Sequence, residues 1–402
     1  MISNTRGKFS ASSSLLGYLY QVRYALLESL RRLPTGQDFS VSIETLDDVV
    51  FAPEGNALEL LQTKHHIDRF ADLSDSSSDL WKSLRIWIEA LNTGSLPEDS
   101  LLFLITTGSI SEQYAVHYLK PGSERNPERA LQRFNSISQS TSNQTNVAAY
   151  QVYTSLSSEK KKKLLDNIFI IEAAPNILAL DEELKQLIYI AVKQKFINSF
   201  LQRLEGWWYQ RVINHLSHKV VTPILSTELD SEIALLREQF KEDNLPIDKD
   251  IMSASIDATG YENYIFVHQL QLIGIGNERI YYAIKNYFRA FEHMSCWIRE
   301  DLILVGDLEY YEDRLVEEWN IHFQQMREEL GEIATEHEKK IAAQKLYKWI
   351  ETGNHLLIRS SVTEPAISRG TYQLLSDAQR VGWHLEFKEL LRKLLEPREV
   401  SL

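Results

Sequence analysis

Two rhythms of apolar and polar positions divide the chain. Up to about residue 175, short apolar runs alternate with longer stretches of helical period. Beyond it, helical period takes over. The stretch Val41 to Lys64 organises the first part. It reads V-S-I-E-T-L-D-D-V-V-F, then the turn Pro53-Glu54-Gly55-Asn56, then A-L-E-L-L-Q-T-K. Val-, Ile- and Phe-rich runs bounded by such a turn predict three strands, the last two forming a hairpin. Folding about residues 54 and 55 brings Asp47 or Asp48 opposite Leu61 or Gln62. Alternation puts Leu60, Gln62 and Lys64 on one face. Carboxylates, an amide and an ammonium then meet at one end of a small sheet.

Before this stretch, Leu15 to Leu33 carries an apolar face at helical spacing, with Ser14 as candidate N-cap and Pro34 as stop. Gln21 lies on that helix. After it, Leu80 to Leu91 repeats the helical pattern, while Ser100 to Thr107 and Asn167 to Glu172 read as buried strands. Residues 1–175 are therefore expected to form an α/β layer fold. Residues 176–225 read as a helical linker or the end of that half, with Leu184 to Leu216 a long amphipathic helix broken at Gly206. Residues 226–402 read as a mostly α-helical domain. Gly274-Ile275-Gly276 lacks the third glycine of a dinucleotide loop and reads as a turn between helices.

Charge sharpens the division. The chain of 402 residues has a net charge of −13. Residues 1–225 hold 23 Lys+Arg against 24 Asp+Glu, and residues 226–402 hold 20 against 32. The near-neutral first half leaves room for basic patches. The acidic second half repels nucleic acid and suits a protein partner. Candidate phosphate contacts in the first half are Arg6 and Lys8, the Thr106-Thr107-Gly108 strand end, Arg125, Arg129 and Arg133 at helical spacing, and the run Lys160 to Lys163. Each also has an ordinary structural meaning, as a strand end or a solvated helix face. Trp207-Trp208-Tyr209 could stack on bases, or pack in a core. A single cysteine, Cys296, argues for a reducing, cytoplasmic setting. No apolar run reaches the ~18 residues that a membrane span needs, and no zinc spacing, P-loop or nucleophile elbow occurs.

The acidic cluster and the lysine suit phosphodiester hydrolysis. That chemistry needs a metal on the scissile phosphate, an activated water and an offset for developing charge. Mg²⁺ (or Mn²⁺) takes one or two protein carboxylates plus waters and phosphate oxygens. Asp48 is the leading ligand, with Asp47 or Glu44 in support. The Gln62 carbonyl is placed to ligate or position, and Lys64 to orient water and stabilise charge. A solvent-facing hairpin with ordinary acids is the alternative. His65 and His66 have no third ligand nearby and suit stacking or exposure better than metal.

An acid, thirteen residues, then Q-x-K resembles the PD-(D/E)xK superfamily of restriction-type nucleases, in its Mrr-like variant. G-Y-L-Y-Q (Gly17 to Gln21), E-T-L-D-D-V (Glu44 to Val49), L-Q-T-K-H-H (Leu61 to His66) and D-L-W-K-S-L-R-I-W (Asp79 to Trp87) are similar to the nuclease domains of anti-phage effectors. L-E-G-W-W-Y (Leu204 to Tyr209), D-N-L-P (Asp243 to Pro246) and V-G-W-H (Val381 to His384) resemble effectors of Lamassu-type, ABC three-component defence systems. The resemblance implies a restriction-endonuclease-like domain, a mixed sheet flanked by helices, ahead of a helical partner-binding domain. It implies Asp48 as metal ligand, Gln62 and Lys64 as the paired active-site residues, and Gln21 and Glu44 as weaker candidates. It also implies double-stranded DNA as substrate, an SMC-like ATPase and a small third subunit as partners, and activation by self-association. A non-catalytic adaptor docking onto the ATPase, or an RNA nuclease, are the competing functions.

Overall fold

The computed structural model describes residues 12–45, 48–64, 73–139, 143–217 and 222–395. The chain divides into two compact units, residues 1–236 and 237–402.

The first unit is built on a six-stranded mixed sheet. Helix α1 (Ser12–Arg32) leads into β1 (Phe39–Ile43), β2 (Val49–Pro53) and β3 (Glu59–Lys64). These three form an antiparallel meander, Val41 facing Phe51 and Val50 facing Leu60. The turn between β2 and β3 is closed by the Asn56 N–H donating to Pro53 O at 3.3 Å. Gly55 takes φ +76°, which a residue with a Cβ adopts only under strain. Helix α2 (Ser78–Thr93) then crosses to β4 (Leu101–Thr106), which lies parallel to β3. Helices α3 (Pro127–Ile137), α4 (Val147–Thr154) and α5 (Ser158–Asn167) return to β5 (Ile168–Ile171), parallel to β4. Parallel neighbours need such crossovers, whereas the meander needs only turns.

The α2 face of the sheet is sealed by one apolar cluster in which Leu60 and Leu104 meet Leu80, Trp81, Leu84 and Trp87. Trp81 sits edge-on to Tyr150 (centroids 4.4 Å apart), Phe134 and Tyr153. Burying a side chain of this size stabilises by roughly 1.5–3 kcal/mol, so α2 is anchored firmly behind the strand that carries Gln62 and Lys64. On α1, Tyr20, Tyr24, Leu26, Leu27 and Leu30 are buried.

Helices α6 (Leu180–Ile188) and α7 (Ile197–Ser217) follow, then β6 (Ile224–Leu225), which pairs with β1, and α8 (Ser226–Gln239). Both α6 and α7 pack on α1. The break expected at Gly206 is not there. Gly206 lies inside α7, and the interruption falls earlier, at residues 189–196. One glycine costs a helix only ~1 kcal/mol, and buried neighbours such as Leu204 and Trp208 hold this one through it. Helix α1 likewise starts at Ser12 rather than after Ser14. The residue pairing that the sequence left open, β6 on β1, joins Ser40 to Leu225 and Val41 to Ile224 across more than half of the unit and had no local signal.

The second unit is all helix: α9 (Lys249–Ser253), α10 (Ile265–Leu272), α11 (Asn277–Arg299), α12 (Val305–Leu330), α13 (Glu336–Thr352), α14 (Pro365–Asp377) and α15 (Phe387–Leu395). Helices α11 and α14 form its tightest pair. A Cβ at Gly370 would come within 2.0 Å of Asn286 O, so the crossing exists only because that position is glycine. Gly274-Ile275-Gly276 is a turn between α10 and α11, with Gly274 at φ +76°. No described helix is long and apolar enough to cross a membrane.

Candidate active site

The antiparallel register of β2 and β3 pairs Val49 with Leu61. One further step puts Asp48 opposite Gln62. The side chains complete the pairing: Gln62 Nε2 donates to Asp48 Oδ1 at 3.0 Å. Asp48 Oδ2 accepts from the Thr63 N–H at 2.7 Å and from Thr63 Oγ1 at 3.0 Å. The carboxylate is thus held at three points against the end of β3. Sequence reading missed Thr63, since a threonine between two polar residues carries no signal of its own.

Gln62 is only 7% exposed, and its Oε1 is buried without a hydrogen-bond partner among the described residues. A buried amide oxygen left unpaired costs about 1–3 kcal/mol. Lys64, two residues on and on the same face, is half-buried. Among the described residues it has no hydrogen-bonding or ionic partner, and it makes no ion pair with Asp48.

Glu44 follows β1 directly. Its backbone adopts φ +53°, and its N–H donates to Asp48 O at 3.0 Å, closing the loop between β1 and β2. Burial raises the Glu44 carboxyl above its ordinary value, and the charge of Asp48 raises it further. A side-chain hydrogen bond from Gln21 on α1 opposes both. Gln21 Oε1, like that of Gln62, is buried and has no partner among the described residues. Two acids that repel each other, with two amide oxygens left unpaired around them, make a donor set that suits a hard divalent cation. Among the described residues no group of three or more His, Cys, Asp or Glu side chains could hold a metal ion. Glutamine occupies one place of this set, and Asp47 lies outside the described residues, as do His65, His66, Arg6 and Lys8.

The loop is steadied from across the sheet by His215 near the end of α7. It is 2% exposed. Its Nδ1 donates to Thr222 O at 2.8 Å, which leaves Nε2 to accept from the Ile43 N–H at 3.0 Å. Ile43 is the residue before Glu44. No motif marks His215; only the folded chain brings it to β1.

The other candidates are engaged elsewhere. Arg125 lies over the Phe169 ring at 4.0 Å and donates to Leu119 O, Leu165 O, Asp166 O and Ile168 O. Arg129 and Arg133 lie over Tyr118. Lys162 and Lys163 pair with Glu128 and Glu98, and Lys161 sits over Tyr153. Trp208 is buried and donates from Nε1 to Val22 O at 2.9 Å, so it serves packing. Thr106 Oγ1 accepts from the Gly108 N–H at 3.1 Å, an ordinary strand ending.

Residues 266–391, most of the helical unit, match CTD7, described as C-terminal domain 7 of the ABC-three component (ABC-3C) systems. The helical unit carries an ABC-3C C-terminal domain. The match ties the helical unit to ABC-3C systems. The match leaves the sheet unit untouched. A comparison with curated proteins gives no match. Among solved structures, the chain is similar to the Acinetobacter baumannii Cap4 SAVED/CARF-domain containing receptor, at 12% identity and a TM-score of 0.34 over 70% of this chain. The chain spans 60% of that receptor's length. The same receptor with the cyclic trinucleotide 3′3′3′-cAAA gives 12% identity and a TM-score of 0.33, over 69% of each chain.

Proposed function

We propose that this chain is the metal-dependent DNA endonuclease of its ABC-3C system. The observation that carries the reading is the buried Gln62 Oε1, unpartnered among the described residues, set beside the Asp48 carboxylate and two residues from Lys64. Asp48 and Gln62 would hold Mg²⁺ or Mn²⁺, with Glu44 in support. Such an ion, when bound, polarises a phosphoryl oxygen and makes its water a stronger nucleophile. Thr63 and Gln21 fix the two carboxylates, and the Lys64 ammonium offsets the negative charge that grows on the phosphate. The Q-x-K spacing and the motifs shared with the Lamassu nuclease subunit LmuA support a restriction-endonuclease-like domain here. They also support an SMC-like ATPase and a small third subunit as partners.

Supercoiled plasmid incubated with the protein and Mg²⁺, alone and together with the other components of its system, tests this. Nicking by the wild type that Lys64→Ala lacks is expected. Equal nicking by both proteins removes the reading, and cleavage of RNA but not DNA redirects it to the other polymer. One observation favours a non-catalytic adaptor instead: Asp48 already accepts three hydrogen bonds, so its carboxylate is satisfied without an ion. That reading expects no Mg²⁺-dependent rise in thermal stability.

A further inference from the structure

Helices α12 and α13 form a hairpin turned at residues 331–335. A groove of about 730 Å³ runs between them. Met326 and Leu346, both buried, form its floor. The rings of His322 and Trp349, tilted at 37° with centroids 4.0 Å apart, close one end. His322, Met326 and Leu330 recur every fourth residue on α12, as Ile341, Lys345 and Trp349 do on α13. Eight residues at ~1.5 Å each make a trough ~12 Å long, two turns of a docked helix. At its rim Ile333 is 95% exposed and Ile341 41%. Large apolar side chains left in water beside an apolar floor mark an interaction surface rather than a finished core.

Charge selects the occupant. Glu329 and Glu332 line the groove and have no ionic partner among the described residues, while Lys345 is the basic side chain in the lining. The unit around it, residues 237–402, holds 20 Lys+Arg against 29 Asp+Glu, a balance of −9. Such a surface repels nucleic acid and a second copy of itself, and attracts a cationic partner. The geometry points to an amphipathic helix with apolar residues at i, i+3 or i+4 and i+7, flanked by Lys or Arg, supplied by another component of the same ABC-3C system. The groove lies inside the matched residues 266–391, and the inference does not rest on the nuclease reading.

The full chain carrying Ile333→p-benzoylphenylalanine, co-expressed with the other components of its system and irradiated, should crosslink to such a basic helical segment, identified by mass spectrometry. Ile341→Glu and the double change Glu329→Lys with Glu332→Lys should each reduce co-purification at least tenfold with an unchanged circular dichroism spectrum. Ile333→Glu, at a position too exposed to affect folding, should act in the same direction. A crosslink to nucleic acid, to another copy of this chain or to an acidic segment overturns the proposal. So does the lack of any crosslink, or co-purification that these variants leave unchanged.

Discussion

Two polar regions of the sheet unit invite the same reading and differ in one respect. The row Arg125, Arg129 and Arg133 and the cluster Glu44, Asp48, Gln62 and Lys64 both place charged side chains at regular spacing. All three arginines lie over aromatic rings, and four carbonyls also hold Arg125. Near the end of β3, the amide oxygens of Gln21 and Gln62 and the ammonium of Lys64 lack partners among the described residues, and Glu44 sits near a like charge. Buried polar groups are normally satisfied by the protein itself. This cluster departs from that rule at both amide oxygens, and the proposed metal site accounts for the departure.

The comparison breaks first at Lys64. Lys64→Ala should lower the rate of DNA nicking by on the order of 10²–10³-fold, while stability stays within ~0.5 kcal/mol because the ammonium holds nothing in place. Thermal unfolding with and without Mg²⁺ comes next. Binding at a hundredfold excess over Kd should stabilise by about 2.7 kcal/mol, and Asp48→Asn should abolish the rise.

The arginine row should respond in the opposite manner. Arg125→Ala should cost roughly 1–3 kcal/mol of stability, through the orphaned carbonyls and the lost ring contact, and leave DNA binding unchanged in a gel-shift titration. The smallest effect is in pH. Burial and the nearby Asp48 charge raise the Glu44 carboxyl above its ordinary value, so the native state holds the proton more tightly. Its contribution is therefore present below ~4.5, the unfolded value, and lost as pH rises through the higher folded value. Glu44→Gln should gain slightly on the wild type above that window without metal, and the difference should close below it. Thermal melts across pH 3.5–7.5 measure this.

Much of this was legible without coordinates. The Pro53–Asn56 turn, with a glycine where φ must be positive, set the β2–β3 hairpin and its register to within a residue, because turn chemistry and side-chain alternation are local. Helical period marked residues 226–402 as mostly α-helical for the same reason, though it broke the long helix at Gly206 rather than at residues 189–196. Local pattern could also nominate Asp48, Gln62 and Lys64. It could not separate them from Arg125, because a charged side chain looks alike in sequence whether a carbonyl meets it or not.

What the chain's order determined, then, is which residues stand on which strand and face, since backbone geometry repeats every two or 3.6 positions. Tertiary structure decided which polar groups find partners. Thr63 and Gln62 grip Asp48, Gln21 reaches Glu44, and His215 steadies Ile43 from 172 positions away. Hydrogen bonds act over about 3 Å of space, regardless of separation along the chain.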